Sequence, residues 1–200
     1  MNSGLIVFEG SDGTGKSSIC ANLVARLKKT GRNVLLFSFP GKEVGTLGKV
    51  VYDMHSRPSE FGVHEMTPTS LQCLHIAAHL DAIESRILPA LSDDKIVVLD
   101  RFWWSTYVYG AVGGANRNVI EKLIEAEVLA WEDVKPTILF LVDREIPLRE
   151  EPMELWPLWR KEYLSLATRE NANHPVQVVN NTATESDALE NVWRLLNEVI

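Results

Sequence analysis

Eight residues near the start of the chain form a pattern that suits phosphate binding. Residues 10–17 read GSDGTGKS and fit the spacing G-x-x-x-x-G-K-[ST]. Its glycines let the backbone curl so that successive N–H groups point at phosphate oxygens. Lys16 supplies positive charge for the outer phosphates, and the Ser17 hydroxyl can ligate Mg²⁺. An ordinary glycine-rich turn is the alternative, but a strand pattern before it and a helix pattern after it favour a phosphate loop.

A second pair of charged residues lies in the middle of the chain. Asp100 and Arg101 directly follow the apolar run at 96–99, which predicts a buried strand. Open α/β sheets bind ligands at the carboxyl ends of their strands, so Asp100 is placed to orient Mg²⁺ or its water. The guanidinium of Arg101 suits a second phosphate group. A surface pair without a role is the alternative, and the position after a central strand argues against it.

The elements that must position these residues alternate along the chain. Short apolar runs predict strands at residues 5–8, 34–39, 96–99, 137–142 and 176–179. Amphipathic spacing predicts helices at 16–29, 44–54, 69–91, 116–131, 153–170 and 185–200. Strands that are apolar throughout and alternate with helices indicate a parallel sheet covered on both faces. We therefore expect one three-layer α/β domain over residues 1–200, with a five-stranded parallel sheet.

Composition excludes several classes of protein. The chain has 200 residues, of which 46% are hydrophobic and 24% are charged, as in ordinary globular proteins. Its net charge of −7 argues against a general nucleic-acid binder. No apolar run approaches the ~20 residues that a membrane span needs. Two cysteines, Cys20 and Cys73, and no pattern of a secretory signal at the N-terminus favour a reducing, cytoplasmic location.

The motifs resemble those of the thymidylate kinases, a family of P-loop nucleoside monophosphate kinases. The similarity begins at residues 8–18, FEGSDGTGKSS, and continues at 39–42, FPGK. It is strongest at 100–105, DRFWWS, followed by Tyr109, and it extends to 159–164, WRKEYL. The phosphate loop is widespread among nucleotide-binding proteins, so the Asp-Arg segment is the more specific part of the resemblance.

This resemblance implies a three-layer P-loop kinase fold and the ATP-dependent phosphorylation of a nucleoside monophosphate, with dTMP as the leading acceptor and Mg²⁺ as cofactor. The ATP-phosphate site would comprise Gly10, Asp12, Gly13, Thr14, Gly15, Lys16, Ser17 and Ser18. The metal would be held by Ser17 and Asp100, and the catalytic residues would be Lys16, Asp100, Arg101 and Arg149. Because a phosphate oxygen of the acceptor is already a competent nucleophile, positioning and charge neutralisation would carry the catalysis.

The resemblance also implies an acceptor site. Its expected members are Asp12, Phe39, Pro40, Lys42, Ile76, His79, Leu80, Arg101, Ser105 and Tyr109. Arg101 and Lys42 would grip the acceptor phosphate, and Asp12 would meet the sugar. The adenine of ATP would lie against residues 180–183.

The sequence departs from the family at the lid. The connection at about 143–152 is short, and its arginines are Arg144 and Arg149. A lid arginine that neutralises transition-state charge can be worth about 10³–10⁵ in rate. We assign this role to Arg149, with Arg144 as the alternative; two solvated arginines in an acidic loop are the other interpretation.

The sequence departs from the family again at the base pocket. Ile76 and Leu80 stand where the family carries a stacking Phe and a base-contacting Arg, and Gly110 stands where Gln is often found. His79 would then lie in an altered acceptor pocket. Trp103 and Trp104 would supply either a new stacking platform or core packing, and core packing is the preferred interpretation for at least one. His75 and His79 lie four residues apart on the helix predicted at 69–91, and a zinc site there would need a third ligand.

Three functions stay open at this stage. The leading one is a dTMP kinase, and the second is a kinase of the same fold that acts on another nucleotide or a nucleoside. The third is a nucleotide-sensing module that binds ATP without phosphorylating a small acceptor. Partners are expected to be small nucleotides, with neither nucleic acid nor membrane. The family often dimerises through helices near the base pocket, so a homodimer is also open.

Overall fold

Five apolar runs become the strands of one parallel sheet. The computed structural model describes residues 3–199 and places the strands in the order β2-β3-β1-β4-β5. They are β1 (Gly4–Glu9), β2 (Val34–Ser38), β3 (Ile96–Asp100), β4 (Ile138–Asp143) and β5 (Val176–Asn180). β1 and β3 are central neighbours, and Phe8 pairs with Asp100 in register. The segments that follow these two strands therefore leave the sheet side by side at its carboxyl edge.

Alternate strand residues bury two different cores. Leu5 and Val7 enter one core, which is rich in aromatic side chains from the helices on that face. Ile6 and Phe8 enter the other core, which is closed by α1 and α8. Period-two alternation produces this split, because successive side chains of a strand point to opposite faces. The expected three-layer α/β fold is confirmed.

Eight helices surround the sheet in the part of the chain that the structure describes. They are α1 (Lys16–Lys29), α2 (Leu47–Ser56), α3 (Pro68–Ala82), α4 (Leu88–Ser92), α5 (Trp103–Val112), α6 (Arg117–Ala130), α7 (Trp156–Glu170) and α8 (Glu185–Asn197). A 3₁₀ turn, Pro58–Phe61, lies between α2 and α3, where the sequence predicts neither helix nor strand. Over residues 3–199, no helix is long and apolar enough to cross a membrane.

Two helix predictions need correction. The single helix predicted at 69–91 is divided by a π turn, Ile83–Ile87, just before Pro89. Proline cannot donate a backbone hydrogen bond and its ring crowds the preceding turn, so the regular ladder is interrupted there. Helix α5 was not predicted at all. Its residues are nearly all buried and are rich in aromatic and β-branched types, so they lack the polar face by which sequence reasoning recognises a helix.

Candidate functional site

The phosphate loop links β1 to α1, and its conformation depends on glycine. Gly10, Gly13 and Gly15 have φ angles of 139°, 80° and 87°. A Cβ atom on Gly10 would lie 2.4 Å from the backbone oxygen of Val142, so this position has no room for a side chain. The loop places its N–H groups near the N-terminus of α1, where the helix dipole also favours an anion.

Two side chains of the phosphate loop face the end of β3. Lys16 is almost fully buried, and its ammonium lies 3.7 Å from the Asp12 carboxylate. Burial, followed by the charge of Arg101, lowers the pKa of Lys16, while Asp100 and Asp12 act in the opposite direction. The hydroxyl of Ser17 donates to Asp100 Oδ2 at 2.5 Å. Ser17 and Asp100, which are 83 positions apart in the sequence, therefore meet at the carboxyl edge of the sheet.

The Ser17–Asp100 pair fits a magnesium ion. Asp100 Oδ1 is buried and has no hydrogen-bond partner within the described structure. A buried carboxylate oxygen without a partner normally costs free energy, and a bound cation or its water would satisfy it. Hydroxyl and carboxylate oxygens are also the ligand types that Mg²⁺ prefers.

The Asp-Arg segment turns back across the phosphate loop. Arg101 adopts a left-handed backbone conformation with φ of 77°, and its N–H donates to Phe8 O at 2.8 Å. Its Nη2 donates to Asp12 Oδ1, and its Nη1 donates to Ser105 Oγ at 2.8 Å. The backbone N–H of Asp12 donates to the Tyr109 hydroxyl at 2.9 Å. Four predicted site residues, Asp12, Arg101, Ser105 and Tyr109, thus form one cluster.

The cationic side chains of this cluster keep Asp12 ionised, and Tyr109 stays neutral. Burial would raise the pKa of the Asp12 carboxyl, but the charges of Arg101, Lys16 and Arg149 outweigh burial and hold that pKa below its ordinary value. Burial also raises the pKa of Tyr109 to about 12, so its hydroxyl stays neutral at pH 7. A neutral hydroxyl and a cationic guanidinium beside a phosphate loop can hold a second phosphate group.

Glu9 is a buried residue of this site that was not among the predicted site residues. Its side chain is fully buried at the end of β1, where Oε1 accepts from the backbone N–H groups of Phe102 at 2.7 Å and Ser105 at 3.0 Å. Oε2 accepts from the Ser105 hydroxyl at 2.7 Å and from Gly10 N at 3.3 Å. The signal was a carboxylate at the end of a buried strand, which is the pattern that identified Asp100.

The lid segment, defined here as residues 144–155, is tied to the phosphate loop. Leu148 N donates to Gly13 O at 2.8 Å. This tie brings Arg149 Nη2 within 3.6 Å of Asp12 Oδ1, although the Arg149 side chain stays 63% exposed and also pairs with Glu151. Arg149 therefore lies beside Asp12, the phosphate-loop residue that also pairs with Arg101.

Arg144, the alternative lid arginine, is occupied elsewhere. Its Nε donates to Ile146 O at 2.7 Å and its Nη1 donates to Asn181 O. Asn181 is itself buried and donates to Thr14 O at 2.7 Å. The loop after β5, which was predicted to lie against adenine, therefore braces the phosphate loop and the lid segment together.

A buried aromatic stack links Phe39, just after β2, to α3. The rings of Phe39 and His79 stack with centroids 4.0 Å apart and planes 12° apart. His79 Nδ1 lies 2.8 Å from the buried Glu127 carboxylate. One turn earlier on α3, His75 Nε2 lies 3.2 Å from His55 Nδ1. Burial, then the charges of His79, His55 and Arg101, lowers the pKa of His75 to about 3, so this imidazole is neutral at pH 7.

The remaining predicted acceptor residues are less closely gathered. Ile76 is buried and Leu80 is half-buried, and neither has a described polar contact with the Asp12–Arg101 pair. Lys42 is exposed, with its ammonium 4.7 Å from the centre of the Tyr52 ring. Pro40 packs against α2, because a Cβ on Gly48 would lie 1.9 Å from its backbone oxygen.

Two residue groups do not form sites. Trp103 and Trp104 are both buried in the aromatic core, as preferred from the sequence, and neither supplies an exposed platform. Within residues 3–199, no group of three or more His, Cys, Asp or Glu side chains could hold a metal ion. The histidine pair on α3 thus has no third ligand of that kind.

Comparison with known proteins gives one consistent family. A family model described as thymidylate kinase matches residues 8–173. A thymidylate kinase of Chlamydia abortus is 37% identical over 139 residues, which cover 69% of this chain and 63% of that protein. A thymidylate kinase of Chlorobium luteolum is 36% identical over 141 residues, covering 70% of this chain and 61% of that protein.

A solved structure extends the similarity over the whole fold. The crystal structure of thymidylate kinase from Ehrlichia chaffeensis matches with a TM-score of 0.77 and 25% identity. That match covers 97% of this chain and 98% of the other. In sequence, the chain spans a little over three-fifths of the length of the two curated relatives above. Because the family model accounts for most of its residues and its phosphate loop lies beside an Asp-Arg turn, the chain belongs to the thymidylate kinase family.

Proposed function

We propose that this chain transfers the γ-phosphoryl group of ATP to dTMP, giving ADP and dTDP. The observation that carries the proposal is the meeting of the phosphate loop with Arg101. Two sets of anion-binding groups meet at Asp12, whose carboxylate approaches Lys16 of the phosphate loop and pairs with Arg101. A kinase that joins two phosphorylated substrates needs this arrangement, whereas a simple nucleotide-binding module needs only the first set.

On the donor side, the backbone N–H groups of the phosphate loop would hold the ATP phosphates, and Lys16 would neutralise charge at the outer ones. Lys16 is buried and its ammonium lies close to Asp12, so little reorganisation is needed when charge develops. Ser17 and Asp100 would hold Mg²⁺, which when bound would neutralise phosphate charge. Residues 180–183 would lie against the adenine, since Asn181 already braces the phosphate loop.

On the acceptor side, Arg101 would bind the dTMP phosphate in place of its present partner Asp12. Asp12 would then be released toward the sugar, and Lys42 would close over the phosphate from the rim. Phe39, His79, Ile76 and Leu80 would form the wall beside the base, with Pro40, Ser105 and Tyr109 shaping its inner end. No general base is required, because an oxygen of the acceptor phosphate attacks directly.

Arg149 would supply the positive charge at the transferring phosphoryl group. Its distance of 3.6 Å from Asp12 and its pairing with Glu151 support this role, since both contacts are exchangeable for phosphate oxygens. Arg144 is held by two backbone oxygens and is the weaker candidate.

We further propose one kinase domain with a short lid and a cytoplasmic location. The location rests on two free cysteines, Cys20 and Cys73. A homodimer stays a prediction that light scattering on the purified chain would test, because the apolar positions of α3 permit it without requiring it.

The decisive experiment measures ADP and nucleoside diphosphate from Mg-ATP with a panel of acceptors. Turnover with dTMP well above that with dUMP, dCMP, dGMP and thymidine is expected. A clear preference for another acceptor would favour the second kinase function, for which the Phe39–His79 stack and its buried Glu127 are the specific observation. If no acceptor in the panel is phosphorylated while ATP binding is retained, the kinase proposal is overturned in favour of a sensing module.

A further inference from the structure

Glu9 is the buried carboxylate nearest to the centre of the site that the mechanism above leaves unused. It accepts four hydrogen bonds, two from backbone N–H groups at the start of α5, one from the Ser105 hydroxyl and one from Gly10 N. Every one of these groups is a donor. The site is therefore built for an ionised carboxylate that accepts with both oxygens.

Ser105 connects Glu9 to Arg101. Because its hydroxyl hydrogen points to Glu9 Oε2, the Ser105 oxygen keeps its lone pairs for other donors. Arg101 Nη1 donates to that oxygen at 2.8 Å, and the hydroxyl of Tyr163 on α7 lies 2.9 Å from it. The direction of one hydroxyl, set by Glu9, thus decides whether Ser105 can accept from the guanidinium.

We propose that Glu9 is a positioning residue for acceptor binding, which through the Ser105 hydroxyl holds the Arg101 guanidinium in the orientation that meets the acceptor phosphate. This inference rests on the proposed function. It adds a residue that touches neither substrate and that links the end of β1 to the start of α5. Arg101 gains from such a support because its backbone is in the left-handed region, which persists only where the surrounding structure holds it.

Two features separate this role from general support of the fold. Glu9 contacts the acceptor side through Ser105, whereas its contact with the phosphate loop is one long bond of 3.3 Å to Gly10 N and a charge interaction with Lys16 that is weaker than those of Asp100 and Asp12. Loss of its charge should therefore affect the acceptor more than ATP. In addition, burial raises the pKa of Glu9 to about 7, against the hydrogen bonds of Ser105 and Phe102 and the charge of Arg101, so its ionisation lies within the working pH range.

The principal test is steady-state kinetics of Glu9→Gln, with dTMP and ATP varied in turn. The amide must place an NH₂ group against the Ser105 hydroxyl and Gly10 N, so Ser105 turns and Arg101 loses its partner. We expect the KM for dTMP to rise about 10- to 100-fold, as for loss of a hydrogen bond to a charged group, and the KM for ATP to stay within about 2-fold. Glu170→Gln is the matched control, since Glu170 has a 12% exposed side chain at the far end of α7.

Ser105→Ala tests the connection itself. It should raise the KM for dTMP to a similar extent, and Glu9→Gln added to it should raise that KM by no more than about 2-fold, because both changes remove one linkage. If the two effects multiply in full, or if the KM for ATP rises as much as that for dTMP, Glu9 supports the fold only and the inference is wrong.

A pH profile gives a readout that a purely structural role would not move. The charged and titratable groups facing Glu9 are Arg101 beside β3, Tyr163 on α7 and Lys16 on α1. The acceptor phosphate titrates near pH 6 in every variant, so the comparison is between wild type and Glu9→Gln. Wild type should lose kcat/KM for dTMP below about pH 7 more steeply than the variant. Parallel profiles would contradict the inference.

Folding and function failures are separable in this design. If Glu9→Gln does not fold, Ser105→Ala decides: an unchanged KM for dTMP overturns the inference, and a raised KM with a flattened profile below pH 7 supports it. A wild-type chain that does not phosphorylate dTMP overturns the proposed function. An active wild type whose KM for dTMP is unchanged by Glu9→Gln overturns this inference alone.

Discussion

The donor and acceptor sides of the cleft are built in different ways. The donor side is one continuous stretch, residues 10–17, whose groups available to phosphate are mostly backbone N–H groups positioned by three left-handed glycines. The acceptor side is a set of side chains, and Arg101, Ser105 and Tyr109 of the segment after β3 meet Asp12 only because β1 and β3 are neighbours. A site built from backbone N–H groups tolerates few sequences, so its motif is easy to identify. A site built from side chains can change its ligand preference by single substitutions.

The two sides also differ in how they respond to charge. The donor side adds one buried ammonium to its backbone donors, whereas the acceptor side is surrounded by titratable groups, among them Asp12, Tyr109 and His75. Asp12 lies between the sides and is within reach of cations from both. Substitutions should therefore separate into effects on turnover, on acceptor affinity and on stability, which the following predictions test.

The largest effect is expected at Arg149, the residue that reaches both sides. Arg149→Ala should lower kcat about 10³-fold or more, because a lid arginine stabilises charge that exists only in the transition state. Steady-state kinetics with saturating ATP and dTMP measures it. Arg57→Ala, which removes an exposed arginine paired with Asp53 and Glu60, is the control and should keep wild-type turnover. Turnover of Arg149→Ala within a few-fold of wild type would refute the assignment.

Lys16 should give the next largest effect. Lys16→Met retains the buried stem but loses the ammonium, and we expect kcat to fall about 10²–10³-fold, as for removal of one preorganised donor. Because burial outweighs the attraction of Asp100 and Asp12 and lowers the Lys16 pKa, loss of the ammonium should not lower the melting temperature. Lys122→Met, at an exposed position on α6, serves as the control. A Lys16→Met enzyme that loses dTMP affinity instead of turnover would break the division into donor and acceptor sides.

Arg101 tests the acceptor side by itself. Arg101→Lys keeps the charge and the backbone strain but loses the two-pronged contact with Asp12 and Ser105, so the KM for dTMP should rise about 10- to 100-fold. The KM for ATP should change little. Calorimetric titration with dTMP alone would confirm that the loss is one of binding. Equal losses for both substrates would mean that Arg101 serves the whole cleft.

His75 should affect stability more than turnover. Burial depresses its folded pKa to about 3 from 6.5, so the neutral form stabilises the fold above pH 6.5 and that contribution is lost as pH falls toward 3. Between pH 7 and pH 5, wild type should lose about 2 kcal/mol of unfolding free energy relative to His75→Gln. Urea unfolding at both pH values measures this difference.

His64→Gln, in the exposed loop before α3, controls for the loss of one histidine. The interpretation requires that His75→Gln differ from wild type in its pH dependence and that His64→Gln not differ. If the pH dependence of His75→Gln matched that of wild type, the imidazole would have to be more solvated than its contact with His55 indicates.

Local sequence was sufficient for the elements that carry their own pattern. The phosphate loop, the five strands and the helix of Glu185–Asn197 follow from glycine spacing, apolar runs and amphipathic period. Local sequence did not predict helix α5, because a helix with nearly all of its residues buried has no polar face to set its period. The π turn was missed for a related reason, since Pro89 interrupts a ladder whose side-chain pattern continues on both sides of it.

The candidate site also has parts that a local sequence pattern predicts and parts that it does not. The sequence by itself determined the fold class and the position of the phosphate loop, and it singled out the Asp100-Arg101 turn as a site prediction, because each is a contiguous pattern with a direct physical cause. Only the tertiary structure could bring Glu9 under Ser105, Arg149 beside Asp12 and His79 onto Phe39. Those contacts join positions far apart in the chain. They depend on strand order, helix rotation and burial, which no short stretch of sequence reveals.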